Sequence, residues 1–161
     1  MLVGEGPGDR EDIEGRPFVG PAGRVLREAL TEAHLDVRSI YMTNAVKHFG
    51  WRPRGKRRIH EKPKYVQVVA CRPWLDEELR IVRPTVIVCL GATAAHSFFG
   101  SSFKLTASFG KALSDAEGRA VVTTYHPSAI LRMPDEESRK AAQNILVRHL
   151  SRAGVIADRQ A

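Results

Sequence analysis

Thr85-Val86-Ile87-Val88-Cys89-Leu90, then Gly91, then Ala92 to Phe99, is the stretch on which the fold class turns. The six residues carry no charge and run apolar without alternation, so they form a strand covered on both faces, as in a parallel sheet sandwiched by helices. The residues after Gly91 read as a short helix. On the N-terminal side, Tyr65 to Val82 reads as a helix bent or delayed by Pro73, and Ile40 to Thr43 as a short strand. Pro21 to His34 reads as a helix, because Ala22, Val25, Leu26, Leu30 and Ala33 recur at helical spacing behind a Gly-Pro start. Met1 to Val3 reads as the end of a first strand. On the C-terminal side, Lys111 to Thr124 holds two strand-like runs around Glu117-Gly118, and Asp135 to Ala153 is an amphipathic helix. Residues 44–63 hold Gly50, Pro53 and Gly55 and read as a long loop. Strands and helices in alternation predict one α/β domain over 1–161, a three-layer α/β/α sandwich around a mostly parallel sheet of about four strands.

Composition agrees and excludes several classes. At 161 residues, 43% hydrophobic and 27% charged, the chain is sized for a single soluble domain. No run reaches the ~18 apolar residues of a membrane span, and the first residues lack the basic and apolar regions of an export signal; no membrane partner and a cytoplasmic location are expected. Cys71 and Cys89 are too few for a disulfide framework and form no CxxC pair. Cys89 lies inside the apolar strand and reads as a small buried hydrophobe. The net charge of +7 is local: Lys47, Arg52, Arg54, Lys56, Arg57, Arg58, Lys62 and Lys64 stand against a single acid, Glu61, and the rest of the chain balances. A basic segment on a neutral body marks a polyanion-binding loop; a merely solvated loop is the bland reading.

Ligands of open α/β sheets bind beyond the carboxyl ends of the strands. That edge gathers Gly4-Glu5-Gly6-Pro7-Gly8-Asp9, Thr43-Asn44-Ala45-Val46-Lys47-His48, Gly91-Ala92-Thr93 and Tyr125-His126-Pro127-Ser128. The amide of Asn44 and the imidazole of His126 are the groups of most obvious chemical use. The glycine-rich stretch fails both nucleotide fingerprints, since a dinucleotide loop beginning at Gly4 needs glycine where Asp9 stands, and Gly110-Lys111 is followed by Ala112. It remains a tight turn that presents Glu5 and Asp9. His34, His96 and His149 fall in helical segments and need no special reading, whereas His48, His60 and His126 fall on loops at one sheet edge.

Taken in order, Gly4-Glu5-Gly6-Pro7-Gly8-Asp9, Gly15-Arg16-Pro17-Phe18-Val19-Gly20-Pro21-Ala22-Gly23, Thr43-Asn44-Ala45-Val46-Lys47 and His126-Pro127-Ser128 resemble the family 4 branch of the uracil-DNA glycosylase superfamily over nearly the whole chain. Lys56-Arg57-Arg58-Ile59-His60, following Lys47-His48-Phe49, resembles the signature loop of its UdgX group. The resemblance implies a monomeric DNA-repair hydrolase that acts on uracil-containing DNA, single-stranded DNA preferred, and flips the base out of the stack. It implies that Phe18 stacks on the base and that Asn44 reads the O4 and N3–H edge as donor and acceptor. His126 would donate to O2 and stabilise negative charge on the leaving base, while Glu5 near the sugar would stabilise the cation or activate a nucleophile. In the UdgX group a loop histidine competes with water, and His60 matches it. An imidazole bonded to the anomeric carbon has no easy route to hydrolysis, so the implied product is a covalent adduct with the abasic site, made in a single turnover. Lys56, Arg57 and Arg58 would hold the loop against phosphates, with Ser128 contacting the backbone and Leu131 wedging into the vacated stack.

Two departures from the family pattern matter. Gly6 stands where the UdgX group usually has glutamine and most other family 4 members have alanine, so one polar contact near the base is missing. The family also carries a [4Fe–4S] cluster; by resemblance His48 stands at one cysteine-ligand position and Cys71 at another, and the remaining CxxC pair would lie upstream of Met1. With the short first strand, the expectation is a domain lacking its N-terminal segment, its cluster absent or incomplete. Two rival readings remain open: a turnover family 4 glycosylase in which His60 is only a loop residue, and a non-catalytic nucleic-acid-binding module that uses the basic loop alone.

Overall fold

The computed structural model describes residues 1–160. Its strands are β1 (Leu2–Gly4), β2 (Met42–Asn44), β3 (Trp51–Arg54), β4 (Arg57–His60), β5 (Val86–Leu90), β6 (Ala112–Ser114) and β7 (Ala120–Thr124). Its helices are α1 (Asp9–Glu14), α2 (Pro21–Glu32), α3 (Tyr65–Val82), α4 (Ala92–Phe99), α5 (Pro127–Leu131) and α6 (Glu136–Gln160). Five strands make the central sheet in the order β2-β1-β5-β7-β6, parallel except for β6, which runs antiparallel to β7. The α/β sandwich expected from the alternating pattern is therefore present, with the fifth strand supplied by the antiparallel edge.

Pleating alone sorts the β5 residues between two cores. Val86, Val88 and Leu90 face the layer of α2 and α6, where Leu26, Leu30, Leu146 and Leu150 are fully buried. Ile87 and Cys89 face the other layer, against Leu75 and Leu79 of α3 and Ala94 and Ala95 of α4. Each such leucine contributes roughly 1.5–3 kcal/mol by leaving water. Cys89 behaves as a small hydrophobe, its thiol pKa pushed well up by burial.

Several boundaries differ from the sequence reading, each for a local reason. Residues 44–63 are no plain loop: Trp51–Arg54 and Arg57–His60 pair as an antiparallel ribbon with Arg54 opposite Arg57, closed by Gly55 and Lys56. Gly55 adopts φ 60°, which suits glycine in a two-residue hairpin turn. Nearly every ribbon side chain is solvent-facing, so no apolar alternation announced the strands. Asp9–Glu14 and Pro127–Leu131 form short helices to which the sequence reading assigned no element. The α2 helix stops at Glu32, because His34 takes φ 56°, and α3 runs on through Pro73. The closing helix continues beyond Ala153 to Gln160. Among the described residues no helix is long and apolar enough to cross a membrane.

Candidate active site

The register of β1 on β2 sets Gly4 beside Asn44, so the first two motifs meet at the sheet edge. Beyond that edge lies a cleft of ≈ 700 Å³ lined by Glu5, Phe18, Asn44, His60, His126 and Ser128 among others. Every residue expected to touch base or sugar thus faces one cavity. A smaller hollow of ≈ 290 Å³ on the other side of Asn44 is lined by Tyr41, Lys47 and Glu78 and reaches neither His60 nor His126.

Phe18 is buried in a left-handed conformation (φ 56°), its carbonyl accepting from Arg27 Nη1 at 2.9 Å. That carbonyl lies so close to α2 that a Cβ at position 23 would stand 1.7 Å from it, so only glycine fits there. The Phe18 ring centroid is 6.3 Å from that of His126, which leaves the two rings flanking the cleft. His126 caps α5, and its Nδ1 accepts from Ser128 N at 3.2 Å and contacts Ser128 Oγ at 2.7 Å. A backbone N–H can only donate, so Nδ1 carries the lone pair and the neutral ring bears its proton on Nε2. Burial lowers the His126 pKa below the ordinary imidazole value; Glu5 opposes this, while Arg132 and His60 reinforce it. A neutral imidazole with Nε2–H free is a hydrogen-bond donor ready for an anion. The hydroxyl of Ser128, expected on the DNA backbone, engages this ring.

Position 91 couples the third motif to the fourth. Gly91 has φ 89°, and a Cβ there would approach His126 Cβ to 2.9 Å. The chain then enters α4, where the buried Thr93 hydroxyl donates to Glu5 Oε2. The other carboxylate oxygen, Oε1, lies 3.8 Å from His60 Nε2. His60 ends β4 with its ring stacked on Phe49 at 6.0 Å and 21°.

Charges of the basic segment divide into two groups. Arg58, expected on phosphates, pairs with Asp9 Oδ1 at 2.6 Å and Asp12 Oδ2 at 2.7 Å, and lies over the Phe49 and Trp51 rings at 5.1 and 5.8 Å. Asp12 and Asp9 hold its pKa above the usual guanidinium value. Lys47 is likewise taken up, by Glu78 at 2.6 Å and Thr43 at 2.8 Å. Lys56 and Arg57 form no ion pair among the described residues and remain available to a polyanion. Leu131 is 44% exposed at the end of α5.

His48 and Cys71 do come together, Nδ1 to Sγ at 3.7 Å, with Lys47 N donating to the same sulfur at 3.5 Å. Yet no group of three or more His, Cys, Asp or Glu converges as metal ligands among the described residues. Two donors cannot complete a four-iron cluster, so the residues present do not fit that group.

Two residues of the site escaped the sequence reading. Glu11 accepts from Gly8 N at 3.1 Å and Gly20 N at 3.0 Å, stapling the Gly4–Asp9 turn to the Gly15–Gly23 stretch. Thr93 stood in the right loop, directly after the decisive strand, but a threonine among small residues carries no chemical signal of its own.

Comparison with known proteins agrees with this geometry. The family model described as the uracil DNA glycosylase superfamily matches residues 1–150. A type-4 uracil-DNA glycosylase of Thermotoga maritima is 40% identical over 142 residues, covering 87% of this chain and 70% of the relative. The type-4 uracil-DNA glycosylase of Pyrobaculum aerophilum is 35% identical over 145 residues, covering 83% and 68% respectively. A type-5 uracil-DNA glycosylase of the same organism is 35% identical over 97 residues, 60% of this chain and 39% of its own length.

Proposed function

The chain belongs to the uracil DNA glycosylase superfamily, and from that premise we propose that it excises uracil from DNA and traps the abasic sugar on His60. One observation carries the second half of the reading: His60 Nε2 faces Glu5 Oε1 at 3.8 Å inside the cleft that also holds Phe18, Asn44 and His126. Nucleophile, carboxylate and base-binding groups then surround one sugar.

The steps follow from those positions. Phe18 supplies the stacking face for a flipped uracil and Asn44 the amide that matches its O4 and N3–H. Breaking the C1′–N1 bond sends its electron pair onto the base, where His126 Nε2–H donates to the anionic O2. The sugar is left electron-deficient at C1′, opposite the Glu5 carboxylate. The lone pair of His60 Nε2 closes a C–N bond to C1′, and the imidazolium so formed gives up its Nδ1 proton to solvent. The uracil anion takes a proton from solvent and departs. Lys56 and Arg57 steer the strand, single-stranded DNA giving the lower cost of extrusion. No step passes through an iron–sulfur group.

A denaturing gel tests this. Mixed with uracil-containing single-stranded DNA and boiled in detergent, the unaltered protein gives a shifted covalent band, and His60→Ala loses the band while releasing free uracil with turnover. Asn44→Ala or His126→Ala reduces band and release together. Free uracil without a band from the unaltered protein would establish turnover hydrolysis instead, the reading that the names of the type-4 relatives favour. Binding with neither product would leave a nucleic-acid-binding module.

A further inference from the structure

Among the described residues four polar side chains are buried: Thr43, Thr93, Thr123 and Thr124. Thr123 donates to the Ser108 carbonyl, Thr124 meets His149 Nδ1, and Thr43 donates to Glu78 beside Lys47, so each of these ties scaffold to scaffold. Thr93 differs, since its hydroxyl ends on a carboxylate of the cleft. Its place in the helix explains why the hydroxyl is free to do so. Thr31 and Ser97 lie deeper in their helices and give their protons to backbone carbonyls of the preceding turn. Thr93 is the second residue of α4, where no earlier helical turn offers a carbonyl.

We propose that Thr93 is a positioning residue, holding Glu5 Oε2 so that Oε1 presents to the sugar and to His60; the assignment rests on the function proposed above. A glutamate has three side-chain torsions, and the last is broad. Left alone, the Glu5 carboxylate would turn through many orientations, of which few set an oxygen beside C1′. The buried hydroxyl removes that freedom, because a hydrogen bond to one oxygen fixes the carboxylate plane and hence the direction of the other. Thr93 is 3% exposed and lies beneath Glu5, so it acts through the carboxylate without touching DNA.

The test reads total uracil liberated in a single turnover, adduct and free base together, so that it precedes any competition between His60 and water. Thr93→Val keeps the shape of the side chain and removes the hydroxyl. It slows release by about ten- to a hundredfold, the range for losing a hydrogen bond to a charged group, whereas Thr93→Ser stays within about threefold of the unaltered protein. Affinity for uracil-free DNA is unchanged in both. In a Glu5→Gln background Thr93→Val adds less than about twofold, because the two residues act as one unit. A purely structural role predicts the opposite pattern: loss of thermal stability in Thr93→Val, a full additional loss in the Glu5→Gln background, and no rescue by serine. That pattern, or an unaltered rate in Thr93→Val, overturns the assignment while leaving the proposed function standing. An unaltered protein that liberates no uracil overturns both.

Discussion

Replacing Gly4 by alanine adds one methyl group where the first strand end presses on Asn44 and on the Phe18 ring. The new Cβ would stand 2.4 Å from Asn44 Oδ1 and 2.7 Å from Phe18 Cζ. Comfortable contact needs about 3.5 Å, so each group must retreat by about 1 Å. The backbone cannot easily give, because Gly4 is laddered to Asn44 at the carboxyl end of β1 and its carbonyl accepts from Ala45 N at 2.9 Å. Phe18 cannot easily give either, being 6% exposed and tied through its carbonyl to Arg27. The displacement therefore falls mainly on the Asn44 amide, which is the group that reads the base. A 1 Å misplacement costs about a hundredfold in rate, and overpacking adds roughly 1–3 kcal/mol of instability. Single-turnover uracil release with thermal unfolding alongside is the assay. Gly6→Ala is the control, since its Cβ would meet Val46 and Pro63 at 3.6–3.8 Å, ordinary contact, and its rate stays within about twofold. A Gly4→Ala protein that releases uracil at the unaltered rate would refute the contact argument and with it the Asn44 assignment.

Two further outcomes follow. Lys56→Ala and Arg57→Ala each flatten the dependence of log affinity on log salt by about 0.7 for single-stranded DNA, while Arg58→Ala leaves that slope nearly intact, its charge lying on Asp9 and Asp12, and lowers the covalent fraction instead; equal slope changes for Arg57→Ala and Arg58→Ala in anisotropy titrations would contradict the division. Burial lowers His126 and His149 below the ordinary imidazole value of 6.5, so just below that pH the unfolded chain binds more protons than the folded one, and stability falls as pH drops from about 6.5 toward the lowered values. His126→Gln and His149→Gln each flatten that part of the stability profile in denaturant titrations, and a profile unchanged in both variants would remove the buried-imidazole account.

Legibility in the sequence followed the physics of each element. Val86 to Leu90 was readable because burial on both faces leaves no polar residue to confuse the pattern. The carboxyl-edge rule then collected Glu5, Asn44 and His126 without knowledge of side-chain contacts. The β3–β4 ribbon was not readable, because its side chains face solvent and Pro53, Gly50 and Gly55 imitate a loop. Arg58 was legible as a charge but not as a partner: whether a guanidinium meets phosphate or Asp9 and Asp12 depends on a hairpin folding back 46 residues along the chain. Thr93 acts through one hydrogen bond to a residue 88 positions away, and Glu11 through two backbone amides on either side of it, relations with no periodic trace.

The site is held by two kinds of force. Asn44, Glu5 and His126 leave strands whose preceding residues are packed in the core, so their backbone positions are set by apolar burial. His60 depends on α1, a helix of 6 residues with none buried. Glu11 of that helix holds the Gly20 amide behind Phe18, and Asp9 and Asp12 hold Arg58 two residues before His60. Exposed ion pairs are individually weak, about 0–1 kcal/mol each, and screened by salt. The proposed nucleophile is thus held through a surface helix whose grip loosens as ionic strength rises, while the base-stacking ring, the base-reading amide and the anion-stabilising imidazole stay fixed by the core. Salt should therefore lower covalent capture more than uracil release, an effect separate from weakened DNA binding when both are measured at saturating DNA.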